Sequence, residues 1–192
     1  MKQKNPDKRY WWLISMISEN GLTAGAEIGC ANGATTHRLL RFCPKLHLFA
    51  VDKWSKVEIG TDVDGCTVCE GGDGRPGDNC TGWDPVRGLV KFNKNTRPYR
   101  SRLTVLSGDS STMAGNVKDG SLDFVFIDAD HRYEAVIKDL AAWVPKLKPG
   151  GMLCGHDIHL VGVRKAIDEK LTQYEDAGVD HVWFCKKEDY EV

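Results

Sequence analysis

Ala26-Glu27-Ile28-Gly29-Cys30-Ala31-Asn32-Gly33-Ala34-Thr35-Thr36 is the stretch on which the fold turns. A short apolar run carries one acid, two glycines follow four apart, and a helix-compatible segment begins at Ala34. Glycines between a strand and a helix permit backbone angles closed to other residues and let a ligand approach the main chain. The spacing is E-x-G-x-x-x-G, with Ala31 where a dinucleotide fingerprint needs its middle glycine. No Lys-Ser or Lys-Thr pair follows Gly33, so the loop is not a nucleotide triphosphate cradle either. An acid leading the loop repels phosphate and suits a cationic or hydroxyl-rich ligand.

Outward from that loop, apolar strands alternate with helical segments. Tyr10 to Ile17 reads as a helix stopped by Asn20-Gly21, Ala26 to Cys30 as a strand, and Thr35 to Phe42 as a helix. Strands are expected at His47–Asp52, Leu103–Leu106, Leu122–Ile127, Met152–Gly155 and His181–Cys185, with a short partner strand between Tyr174 and Asp180. Helices are expected from Pro85, capped by Asp84, from Tyr133 to Leu147 with Pro145 cutting the last turn, and from Val161 to Leu171. This alternation predicts an α/β, Rossmann-like, doubly wound sheet, mostly parallel, with helices on both faces. In such sheets ligands lie beyond the carboxyl ends of the strands. Glu27, Asp52, Asp109, Asp128 and Asp157 all end or follow apolar strands. Five acids on one edge repel one another unless a cation, a hydroxyl-rich ligand or protonation intervenes.

The chain has 192 residues and a net charge of −1, with both signs spread along it, so no basic field favours nucleic acid. No apolar run approaches the roughly 20 residues that span a bilayer, and no cleavable leader is legible. The expectation is a single cytoplasmic domain over 1–192. It carries a Gly/Cys-rich insertion at about 53–83 that is too long for a plain connection and reads as a lid. Within it, Cys66, Cys69 and Cys80 could hold a structural zinc, form a disulfide or remain free thiols. Cys30, Cys43, Cys154 and Cys185 read as buried thiols.

Taken together, Glu27-Ile28-Gly29 through Gly33, Ala50-Val51-Asp52, Ser107-Gly108-Asp109-Ser110, Phe126 to Glu134, and Leu147 to Asp157 resemble the class I S-adenosylmethionine-dependent methyltransferases. The likeness is strongest to their small metal-assisted O-methyltransferase branch, whose members act on sugars, macrolides and catechol-like phenols. It implies a seven-stranded sheet with an antiparallel C-terminal strand. It further implies cofactor binding by Glu27, Gly29, Gly33, Asp52, Asp109 and Ser110, with Asp52 on the ribose hydroxyls and Asp109 and Ser110 on the adenine edge. Asp109 reads equally well as a helix cap. Asp128 and Asp157 match the family's metal ligands. The residue before Asp157 is His156, where relatives carry an acid or amide near that aspartate. As a third ligand, His156 suits Mn²⁺, Fe²⁺ or Zn²⁺ and is a poor ligand for Mg²⁺. His131, in a D-x-x-H arrangement with Asp128, is placed to act as general base.

The leading expectation is therefore methyl transfer to a hydroxyl of a small molecule, with a divalent cation (Mg²⁺ or Mn²⁺) assisting and a homodimer compatible with the pattern. Two other readings stand beside it: a non-catalytic binding protein on the cofactor fold, and a metal-dependent, hydroxylase-like enzyme on the same fold.

Overall fold

The strand Leu122–Ile127 (β4) is apolar on both faces, as a central parallel strand must be. Phe124 and Phe126 join one core, and Val125 and Ile127 the other. The computed structural model describes residues 8–54 and 85–191. Cys66, Cys69, Cys80, the expected cap Asp84 and the insertion beyond Trp54 lie outside the described residues.

β4 pairs in parallel with β1 (Ala24–Ile28) on one side and β5 (Leu147–Gly155) on the other. Next to β1 come β2 (His47–Asp52) and β3 (Leu103–Ser107), both parallel to their neighbours. Beyond β5 lie β7 (Trp183–Lys186) and β6 (Glu175–Asp176), both in antiparallel pairs. The order β3-β2-β1-β4-β5-β7-β6 places all seven strands in one mixed sheet, as expected.

Helices cover both faces. One core holds Leu13, Met16 and Ile17 of α1 (Arg9–Glu19), Leu39 and Leu40 of α2 (Ala34–Phe42), and Phe92 of α3 (Pro85–Thr96). The other holds Val136, Leu140 and Trp143 of α5 (Tyr133–Trp143) with Val163, Ala166 and Ile167 of α6 (Val161–Lys170). A short helix, α4 (Ser110–Met113), follows β3.

Several boundaries differ from expectation; β1 runs Ala24–Ile28 and not Ala26 to Cys30, and three others have a clear cause or consequence. β5 begins at Leu147, before the Pro149-Gly150-Gly151 turn, because buried Leu147 pairs with Leu122 ahead of a register shift. That also ends α5 early: Pro145 turns the chain through the 3₁₀ stretch Val144–Lys146. His181 lies outside the last strand, in a turn with φ +57°.

Strand order reverses between β1 and β4, and a crevice opens there at the carboxyl ends. Gly29 sits at that point with φ +89°, and a Cβ on it would stand 2.1 Å from the Asp128 carbonyl oxygen. Gly29→Ala should therefore destabilise the fold by at least about 1–3 kcal/mol, read by chemical denaturation. A denaturation midpoint equal to that of the unsubstituted chain would refute the close approach.

Candidate active site

At the crevice the β1 and β2 ends are locked together by backbone. Asp52 Oδ2 accepts from the Ala31 N–H at 2.7 Å, and Oδ1 accepts from the Trp54 N–H at 2.8 Å. The Trp54 indole closes the ring by donating to the Ala31 carbonyl at 2.7 Å. Gly29, Asp52, Gly108, Asp109 and Ser110 line a cavity of about 270 Å³, with Ala129 and Asp139 opposite. Four of the six residues expected to bind cofactor are thus brought together. Gly33 is not in the lining; it opens α2 with φ +73° and abuts Phe92.

Glu27 also lies outside the lining, for a reason the strand pleat supplies. Its neighbours Ala26 and Ile28 face the α5 core, so Glu27 faces α2, where it accepts from the Thr36 hydroxyl at 2.6 Å. Burial pushes its carboxyl up to about 8, with Thr36 opposing the rise and Asp128 adding to it. It is a carboxylate set in the sheet with too little cation to balance it.

Asp109 caps α4, its Oδ1 accepting from the Thr112 N–H at 3.1 Å and the Ser111 hydroxyl at 2.7 Å. Those bonds hold its carboxyl below the usual range. Ser110 turns its hydroxyl to Asp139 on α5. Burial raises Asp139 to about 6, with the Ser110 bond opposing. Asp139 escaped the sequence reading, though a signal existed: it occupies the buried stripe Val136, Asp139, Leu140, Trp143, where an apolar residue is expected.

The second half of the site is a cluster at the ends of β4 and β5. His131 Nε2 lies 2.8 Å from Asp157 Oδ2, and His156 Nδ1 lies 2.8 Å from the same oxygen. His156 Nδ1 is also 3.4 Å from Asp128 Oδ1. One ring nitrogen of His156 thus faces both aspartates. Burial disfavours the His156 cation, yet the two aspartates outweigh it and lift the ring to about 9. The same contest raises His131, through Asp157. Asp157, although buried, is held well below the carboxylate range by both histidines.

Asp128, His131 and Asp157 each offer a ligand atom within 4.8 Å of the others. That donor set fits a divalent cation. His131 completes this trio, and His156, expected as the third ligand, stands beside it with Nδ1 2.8 Å from Asp157 Oδ2 and 3.4 Å from Asp128 Oδ1.

Two further members carry no sequence signal. Arg9, at the start of α1, places Nε 3.1 Å from Asp128 Oδ2 and one terminal nitrogen 3.6 Å from Asp180 Oδ2. Asp180, in the turn before β7, also accepts from the Arg9 N–H at 3.0 Å. A basic residue at a helix start and an acid in a turn read as solvated until the tertiary fold brings them together. His159 and His181 pack their rings together with centroids 4.0 Å apart.

Backbone strain concentrates here. Ala31, Trp54, Asp157, Asp180 and His181 are the described non-glycine residues with positive φ, and all lie at this edge of the sheet. Conformations of that kind persist where surrounding structure over-determines them, as at functional sites.

A family model described as a methyltransferase domain matches residues 26–158. Among solved structures, the calicheamicin methyltransferase CalS11 aligns with a TM-score of 0.64 at 14% identity, covering 95% of this chain and 82% of that one. A candidate caffeoyl-CoA O-methyltransferase from Staphylococcus aureus aligns with a TM-score of 0.61 at 15% identity, over 91% and 80%. The O-methyltransferase NovP aligns with a TM-score of 0.60 at 16% identity, over 90% and 75%. At these identities the likeness carries the fold. No curated protein matches the chain by sequence.

Proposed function

The chain belongs to the methyltransferase-domain family, and on that premise we propose that it transfers a methyl group from S-adenosylmethionine to a hydroxyl of a small molecule, assisted by Mg²⁺ or Mn²⁺. The observation that carries the reading is the convergence of Asp128, His131 and Asp157 beside a cavity lined by Gly29, Asp52 and Asp109. The O-methyltransferase fold neighbours support the choice of oxygen.

S-adenosylmethionine supplies a methyl on a sulfonium. The Gly29 turn leaves the main chain open to it, and Asp52, pinned by two backbone N–H groups, presents its remaining lone pairs to the ribose hydroxyls. Glu27, at the end of β1 and bonded to Thr36, is the acid assigned to the cofactor's cationic amino group. Asp109 and Ser110 border the adenine side.

Asp128 and Asp157 would hold the cation, which would supply a lowered pKa to the acceptor hydroxyl. With Nε2 donating to Asp157, His131 takes the hydroxyl proton on its other ring nitrogen, Nδ1, as the oxygen attacks. Asp157 Oδ2, 2.8 Å away, stabilises the imidazolium that results. Arg132 pairs with Asp130, which removes that acid from competition for the proton.

Incubation with S-adenosylmethionine, Mn²⁺ and a panel of phenolic and sugar hydroxyl acceptors tests the reading by mass spectrometry. A product heavier by a methylene is expected. A product heavier by an oxygen atom would indicate a hydroxylase, and cofactor binding without turnover of any acceptor would favour a binding protein. Asp52→Ala should weaken cofactor binding by roughly 1.5–3 kcal/mol, as when hydrogen bonds to a charged group are lost. Unchanged calorimetric affinity in that variant would defeat the ribose assignment.

A further inference from the structure

We propose that Arg9 is a built-in counter-cation that competes with the divalent ion for Asp128 and thereby sets the affinity of the metal site. The inference rests on the cation reading of the Asp128–His131–Asp157 cluster and adds a residue to it that neither the cofactor pocket nor the proton transfer uses.

The geometry is that of an occupied charge site. Arg9 Nε lies 3.1 Å from Asp128 Oδ2, but its N–H is not aligned for a hydrogen bond. The guanidinium is therefore held by charge, in a place where Asp128 must turn an oxygen outward to bind an ion. Burial alone would disfavour the guanidinium cation; Asp128 and then Asp180 outweigh that. Arg9 also has an alternative partner. Asp180 Oδ2 accepts from its backbone N–H at 3.0 Å and lies 3.6 Å from its terminal nitrogen, while Lys8 Nζ stands 3.5 Å from the other oxygen. The first turn of α1 is thus anchored through Asp180, and the Arg9 side chain can leave Asp128 without losing the helix start.

Two outcomes of opposite sign are open to an arginine beside a metal-binding carboxylate. If it merely orients the ligand, removing it loosens metal binding, by the ~10–100-fold typical of lost outer-shell partners. If it competes, removing it tightens binding, because like charges side by side are costly and Asp128 is freed.

Mn²⁺ titration of the apo protein by calorimetry, backed by the electron paramagnetic resonance signal of free Mn²⁺, separates these. Arg9→Gln should bind Mn²⁺ about ten-fold more tightly than the unsubstituted chain, and Asp128→Asn should lose the site. Equal or weaker binding in Arg9→Gln, with the site still lost in Asp128→Asn, would overturn the competition and leave the metal reading intact. No saturable Mn²⁺ binding in either Arg9→Gln or the unsubstituted chain would overturn both.

Discussion

His131→Ala should cut turnover by ~10²–10⁴-fold, the range for a lost general base. Cofactor affinity should hold, since the cavity is lined by Gly29, Asp52, Asp109 and Ser110, and not by His131. Mn²⁺ binding separates base from ligand. A base can be removed without loosening the ion, whereas a ligand cannot, and His131 is close enough to Asp128 and Asp157 to be either. The base assignment expects unchanged Mn²⁺ affinity together with partial recovery of rate when imidazole is added. A variant that loses Mn²⁺ and is not rescued would move His131 into the ligand set. A variant with full activity would remove it from the chemistry.

Glu27→Gln should produce the largest change in cofactor affinity, a loss of about 2–5 kcal/mol, as when one member of a buried charge pair is truncated. The same substitution should stabilise the apo protein at alkaline pH. Burial raises the Glu27 carboxyl from 4.5 to about 8, so between those values the folded chain holds a proton that the unfolded chain has released. Stability from this group is full below the unfolded value, declines as pH rises, and is lost once pH passes the folded value. Glutamine has no such dependence, and above pH 8 the variant should gain on the order of 5 kcal/mol over the glutamate form. Cofactor binding in the unsubstituted chain should strengthen as pH rises toward 8, because the cationic amino group pairs with the ionised form, and that slope should vanish in the variant. Thermal unfolding and calorimetry over pH 6–9 read both. Unchanged cofactor affinity would remove Glu27 from the binding site, and a parallel stability profile in the two proteins would remove its raised titration.

Glu27 also shows where reading the chain stops. Its place in E-x-G-x-x-x-G marked it as a loop acid facing a ligand. The pleat of β1 also sets it under α2 in contact with Thr36, which only the register between Ala26 and Ile28 decides. Ser110 is similar: its position after β3 was legible, but its hydroxyl goes to Asp139, a residue hidden within a helix pattern.

By itself the sequence determined the alternation of strands and helices and the placing of β2 and β4, whose bounds match those expected. It also determined that acids gather at one edge. These are local properties, set by apolar period, by Gly and Pro at turns, and by the side of a strand end on which a residue falls. The tertiary structure alone decided which charges meet there. His131 joins Asp128 and Asp157, His156 lies beneath them, and Arg9 arrives from α1 to face Asp180, 171 residues away along the chain. Electrostatic contact depends on distance in space, and nothing in the spacing of Arg9 and Asp180 along the chain encodes the few ångströms between them once the sheet is wound.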